Sequence, residues 1–88
     1  MIIRKHSQFD KNFSKRIKPY PKLVEKFKKR YLIFETNQHD PVLEDHQLSG
    51  SKSHFRAFSI AGDIRVIYRV VGAEEVVFVD IGSHNQVY

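Results

Sequence analysis

Phe55–Tyr88, FRAFSIAGDIRVIYRVVGAEEVVFVDIGSHNQVY, decides the fold. It contains three runs rich in β-branched and aromatic residues, separated by Ala61-Gly62-Asp63 and Gly72-Ala73-Glu74. Each separator offers a glycine for positive φ and reads as a hairpin connection. The runs therefore predict strands over about 54–60, 64–71 and 75–81, joined as an antiparallel meander. Side chains alternate across a strand, so Ile64, Val66, Tyr68 and Val70 share one apolar face, expected beneath helices. Asp63, Arg65, Ile67 and Arg69 share the other face, expected to be open to solvent or a ligand. A polar tail after Gly82 carries His84 and Tyr88.

Upstream of the meander the period changes. Met1–Arg4 is short and β-branched, fitting a first strand. Ser7-Gln8-Phe9-Asp10 resembles a capping box, and Phe9, Phe13 and Ile17 recur every four residues as one helical stripe. Lys18-Pro19-Tyr20-Pro21 stops that helix, since proline cannot continue the hydrogen-bond ladder. A second helix is expected from Pro21 to about Thr36, with Leu23, Val24, Phe27, Tyr31 and Phe34 as its apolar side. Asn37–Pro41 reads as a loop, Glu44–Gln47 as an irregular or single-turn segment, and Gly50–Ser53 as a turn or flexible link. The predicted architecture is α+β: an N-terminal strand, a two-helix hairpin and a three-stranded meander in one twisted sheet with the helices on one face.

The 88 residues suffice for one domain, residues 1–88, with a modest core. The chain has no cysteine, which removes disulfides and thiolate metal sites. No signal peptide or membrane span is evident, so the cytoplasm is the expected location. Charge is distributed unevenly. Residues 1–30 hold 11 of the 15 basic and 2 of the 10 acidic residues, a net +9, which leaves −4 for the remainder. Such a basic third suggests a polyanion or an acidic protein as partner.

The residues able to carry chemistry are His46, His84, Arg65, Arg56 and Tyr88. Two imidazoles can divide general base and general acid roles near neutral pH. Arginine offers a charged fork for phosphate oxygens, and an exposed tyrosine can stack on a base. Plainer readings stand beside these: Arg65 as a surface ion pair with Asp63 or Asp80, and Tyr88 as a frayed terminus. His39, Asp40, Asp45, His46 and His84 could also supply metal ligands, but no H-E-x-x-H spacing is present. The chain has no P-loop, dinucleotide fingerprint or G-x-S-x-G elbow.

These residues also carry a resemblance. Asp45-His46-x-Leu48-x-Gly50, then Phe55-Arg56, then Asp63 with Tyr68, then Gly82-Ser83-His84 with Tyr88, together resemble the C-terminal half of the RelE/ParE toxin superfamily, in particular its YafQ-like mRNA interferases. The resemblance covers roughly the last 45 residues. It implies a toxin of a type II toxin–antitoxin system, a ribosome-dependent endoribonuclease needing no metal or other cofactor. The mRNA 2′-hydroxyl would attack the adjacent phosphate, leaving a 2′,3′-cyclic phosphate. On this reading His46 and His84 are the acid/base pair, Asp63 orients a neighbour, Arg65 helped by Arg56 neutralises phosphate charge, and Tyr88 positions a base. Lys52, Lys26, Lys29 and Arg30 would hold RNA.

The implied partners are mRNA on the ribosome, with 16S ribosomal RNA contacts, and a cognate antitoxin. The free toxin would be a monomer and the silenced one a hetero-oligomer. A ParE-like gyrase inhibitor, a non-enzymatic RNA-binding module and a decayed toxin stay open as alternatives. The chain departs from the group's pattern at Ser59, where the group has histidine, and at Ile64, where it has tryptophan.

Overall fold

The computed structural model describes residues 1–88. In chain order the elements are β1 (Ile2–Lys5), α1 (Ser7–Arg16), α2 (Pro21–Thr36), β2 (His46–Gln47), β3 (Arg56–Ala61), β4 (Ile64–Gly72), β5 (Glu75–Gly82) and α3 (His84–Val87). Two 3₁₀ turns, Pro41–Leu43 and Gly50–Lys52, flank β2. The strands form one sheet in the order β1-β5-β4-β3-β2. β1 runs parallel to β5, and the other neighbours are antiparallel. No helix is long and apolar enough to cross a membrane.

Local chemistry places the helix ends. Pro21 opens α2, where its missing N–H would have had no partner within the helix. α1 is capped one residue earlier than the Ser7 box implies: the His6 Nδ1 accepts from the Gln8 backbone N–H at 3.0 Å. Across the chain, Asp80 of β5 accepts from Asn12 at 2.7 Å and pairs with Arg16, tying α1 to the sheet.

The two helices lay their apolar stripes on one face of the sheet. Phe9, Phe27 and Phe34 from the helices meet Phe58, Tyr68 and Phe78 from β3, β4 and β5. Phe34 stacks on Phe58 with ring centroids 4.5 Å apart and meets Tyr68 edge-on at 5.0 Å. Offset and edge-on contacts suit the aromatic quadrupole and add to the burial. This aromatic layer is the main core, and Leu43 of the first 3₁₀ turn closes its end.

Three expectations are corrected. The sheet has five strands, because His46–Gln47, expected to be irregular, pairs with β3. The face expected to be open is partly covered, since Val87 of α3 packs with Ala57 and Ile67 as a second small core. The polar tail, for which the sequence predicts no element, forms the short helix α3. Val70, expected under the helices, is 51% exposed. β4 shifts register after Ile67, and all of its residues from Arg69 to Gly72 are exposed. Among the glycines of the two hairpins, only Gly62 takes positive φ.

Phe34 and Val70 give a contrast that tests this packing. Phe34→Ala should cost about 3–5 kcal/mol, enough to unfold much of a small domain. Val70→Thr should stay within about 0.5 kcal/mol, as expected for an exposed site. Urea denaturation followed by circular dichroism reads both, and equal losses would refute the assigned faces.

Candidate active site

Segments far apart in sequence meet on the face of the sheet opposite α1 and α2. Pairing of His46 with Ala57 sets His46 on the side that carries Ala57, Ile67 and Val87. α3 packs there against β4 and β5. Four residues cannot form a lasting helix unaided, and two local devices hold this one. In the first, Ser83 and Gln86 form a reciprocal capping box, with the Gln86 side chain accepting from the Ser83 N–H at 2.7 Å. The second is the glycine before it: a Cβ on Gly82 would lie 2.6 Å from Gln86 Oε1 and 2.8 Å from Arg16 Nη1. Its absence lets Arg16 donate to the Ile81 carbonyl at 3.0 Å while the box closes.

Between α3 and the Gly50 turn lies an open cleft of about 440 Å³ whose walls include His46, Leu48, Gly50, Lys52, His84 and Tyr88. His84 meets the Tyr88 ring edge-on, with centroids 4.4 Å apart. The Lys52 Nζ donates to the Val87 and Tyr88 carbonyls at 3.4 and 3.1 Å, a cation placed where a helix C-terminus favours it. Lys52 thus lines the cleft and latches α3 across it.

His46 is held in one orientation. Its Nδ1 lies 3.0 Å from the Glu44 carbonyl oxygen. A carbonyl can only accept, so this nitrogen carries the hydrogen and the neutral ring keeps its lone pair on Nε2. Glu44 is the only residue other than glycine with positive φ, at φ 51° and ψ 37°. That conformation costs about 1–2 kcal/mol, and it persists because the neighbours are fixed. Leu43 is fully buried, and Arg30 Nη1 donates to the Val42 carbonyl at 2.8 Å and the Ser59 carbonyl at 3.0 Å.

On the other side of Glu44 stands a buried carboxylate. The Asp45 side chain is 3% exposed and accepts from Tyr68 Oη at 2.6 Å and Arg56 Nη2 at 3.0 Å. Burial first, then the bond to Asp45, pushes the Tyr68 hydroxyl well above its usual pKa. The bond to Asp45 likewise leads in raising Arg56. Residue alternation signals this network. Arg56 shares the parity of Phe58 and faces Tyr68 across the ladder, so it falls on the apolar side, where a cation needs a partner.

The sequence-derived candidates are therefore brought together only in part. His46, His84, Tyr88 and Lys52 share the cleft. Arg65 lies on the same side of the sheet, paired in register with Ser59 and Gly82. Its side chain is 22% exposed, and Nη1 is buried without a hydrogen-bond partner, 3.9 Å from Glu44 Oε1. It pairs with neither Asp63 nor Asp80. It also neighbours the Tyr88 hydroxyl, whose pKa burial raises and Arg65 partly lowers.

Arg56 is directed to the opposite face, engaged by Asp45, and is not brought together with Arg65. Asp63 sits exposed in the β3–β4 turn and is not among the cleft residues. Lys26, Lys29 and Arg30 border a separate basic hollow on α2 with Lys22 and Glu25, and Lys29 pairs there with Glu25. The two departures also have clear settings: Ser59 is buried, and Ile64 packs at the margin of the core. No three His, Asp or Glu side chains are grouped as a metal site.

All of residues 1–88 match the family model described as bacterial toxin of type II toxin–antitoxin system, YafQ. A search of curated proteins finds no match. Among solved structures, a histidine-to-glutamine mutant of YafQ from E. coli superposes with a TM-score of 0.81 at 23% identity, covering 98% of this chain and 96% of that one. The E. coli DinJ–YafQ toxin–antitoxin complex gives 0.73 at 23% identity over 98% and 94%. A YoeB/ParE toxin from Agrobacterium tumefaciens gives 0.79 at 15% identity over 96% and 99%. At these identities the superpositions establish the fold.

The buried triad has a pH signature. A phenol whose pKa is higher folded than unfolded stabilises the fold fully below the unfolded value of about 10, and that contribution is lost as pH rises past it. Stability should fall progressively as pH rises above about 10 in urea titrations. Tyr68→Phe should lose about 1–2 kcal/mol at pH 7 and show a shallower alkaline decline. An identical alkaline slope in both proteins would show that Tyr68 is not the group responsible.

Proposed function

Because the chain belongs to the YafQ family of bacterial toxins of type II toxin–antitoxin systems, we propose that its cleft cleaves mRNA by internal phosphoryl transfer. The observation that carries this reading is the cleft itself, where His46 of β2 meets His84 and Tyr88 of the C-terminal segment, with Arg65 next to Tyr88. Both histidines are exposed, as proton transfer to a large substrate requires.

The hydrogen bond at His46 favours one division of the two histidine roles. His46, with its hydrogen committed to the Glu44 carbonyl, presents Nε2 as the base that takes the proton from the ribose 2′-hydroxyl. The freed oxygen attacks the adjacent phosphorus. A pentacoordinate phosphorane forms, and the bond to the 5′-oxygen of the next nucleotide breaks. His84, protonated at the outset, gives its proton to that leaving oxygen. The products are a 2′,3′-cyclic phosphate and a free 5′-hydroxyl, and the two histidines end with their protonation states exchanged.

Arg65 stabilises the charge that builds on the non-bridging oxygens, where a preorganised donor acts most strongly. Tyr88 offers its ring face to a base, and Lys52 keeps α3, and with it His84, in register. None of these steps requires a metal ion. The hollow on α2 serves as a second, non-catalytic hold on RNA backbone, through Lys22, Lys26 and Lys29. A cognate antitoxin silences the toxin in a hetero-oligomer, as the toxin–antitoxin complex of the similar E. coli protein exemplifies.

Single-turnover cleavage of ribosome-bound mRNA tests the assignment. His46→Ala and His84→Ala should each slow cleavage about 10²–10⁴-fold, and Arg65→Ala about 10²–10³-fold. Cut ends in the wild type should accept a ligase specific for 2′,3′-cyclic phosphates. DNA damage without new RNA ends after induction would instead show a gyrase inhibitor. Lys26→Gln with Lys29→Gln should weaken RNA binding and lower the salt slope by about two, with full cleavage at saturating substrate.

A further inference from the structure

Glu44 combines three features that the proposed reaction does not use. It holds the one left-handed backbone outside glycine, its carboxylate points to Arg65, and its side chain is 69% exposed. A 3₁₀ turn ending in left-handed geometry is served best by glycine, which adopts it without cost. A side chain kept at such a position calls for an explanation in what that side chain meets. What it meets is the guanidinium of Arg65, at 3.9 Å.

That separation is too long for a hydrogen bond. Arg65 Nη1 is screened from water and has no hydrogen-bond acceptor. A buried donor on a permanent cation left in this state has an unfilled hydrogen bond. Glu44 compensates its charge at a distance without filling the bond. A phosphate oxygen arriving between His46 and His84 would make the short, charge-assisted contact that the carboxylate does not make. The exposed carboxylate yields readily, since exposed ion pairs are weak and the Glu44 backbone is fixed independently of its side chain.

We propose that Glu44 is an exchangeable counterion for Arg65, a carboxylate that occupies the approach to the guanidinium in the free protein and is displaced by the RNA phosphate. The exchange rests on the phosphoryl-transfer reading above, and it sets substrate affinity rather than the rate of the chemical step. Glu44 is a positioning residue in this role. It keeps the arginine compensated, and it excludes anions that bind Arg65 too weakly to displace it.

The test separates this exchange from general electrostatics and from the nuclease reading. The probes are a 2′-O-methyl RNA oligonucleotide, which binds but cannot be cleaved, and inorganic phosphate. Binding is followed by NMR at the Arg65 side-chain Nε–H and by fluorescence anisotropy. Glu44→Gln should bind the oligonucleotide about three- to fivefold more tightly, the range released when an exposed pair of up to ~1 kcal/mol no longer competes. Glu44→Gly should match it, which separates the effect from the backbone. In cleavage of unmodified RNA the change should appear in KM and not in kcat.

In an Arg65→Ala background the gain from Glu44→Gln should vanish. A gain that persists there shows a diffuse charge effect and overturns the proposal. So does unchanged or weaker binding by Glu44→Gln, and so does the lack of any Arg65 response to phosphate or RNA. A protein that shows the Arg65-dependent gain yet leaves unmodified RNA intact supports the counterion exchange and refutes the nuclease assignment alone.

Discussion

A carboxylate shut away from water must be compensated where it lies, and the candidate active site depends on how this chain compensates Asp45. Tyr68 and Arg56 bind its two oxygens, one from the central strand β4 and one from β3. Deleting one partner of such a group leaves an uncompensated charge, which is far costlier than losing an exposed pair. The triad therefore pins the segment before β3 to the sheet at one residue. Glu44 and His46 flank that residue and inherit its position. The left-handed turn at Glu44 and the fixed ring of His46 are consequences of an anchor between them that neither supplies.

The sheet separates support from chemistry by side-chain parity. Phe58, Tyr68 and Phe78 face the helices and carry the aromatic layer. Ala57 and Ile67 face the other way and pack with Val87 of α3, with Leu48, Phe55 and Val79 at the margin. That second cover is small enough to leave a cleft beside it. Because α3 depends on a capping box, a close approach at Gly82 and a latch from Lys52, the position of His84 is set by polar contacts more than by apolar burial.

Much of the fold was legible because it follows local periodicities. The four-residue recurrence of Phe9, Phe13 and Ile17, the prolines around Tyr20 and the alternation through Ile64–Val70 each predict an element that is present. What escaped depends on distant partners. Two residues, His46 and Gln47, carry no strand signal of their own and pair only because β3 offers a free edge. Val70 follows the apolar alternation yet extends past the helices that would cover it. At the site, the resemblance marked His46, His84 and Tyr88, which do converge on one cleft. It also marked Arg56 as a phosphate ligand, although its parity set it among apolar residues with Asp45 as its counterpart.

The parallel pairing of β1 with β5 has a consequence for how the molecule is made. Arg4 bonds to Glu75 across 71 positions of sequence, and β1 has no strand neighbour other than β5. Closing so long a loop must precede any reward from the pairing, which slows assembly. During synthesis α1 and α2 emerge well before β5, the strand against which α1 packs. Their phenylalanines then have no sheet to cover, and the cleft cannot exist because α3 is still to come. A nascent chain of this topology stays unassembled until its last third is available, so its cleft is acquired late.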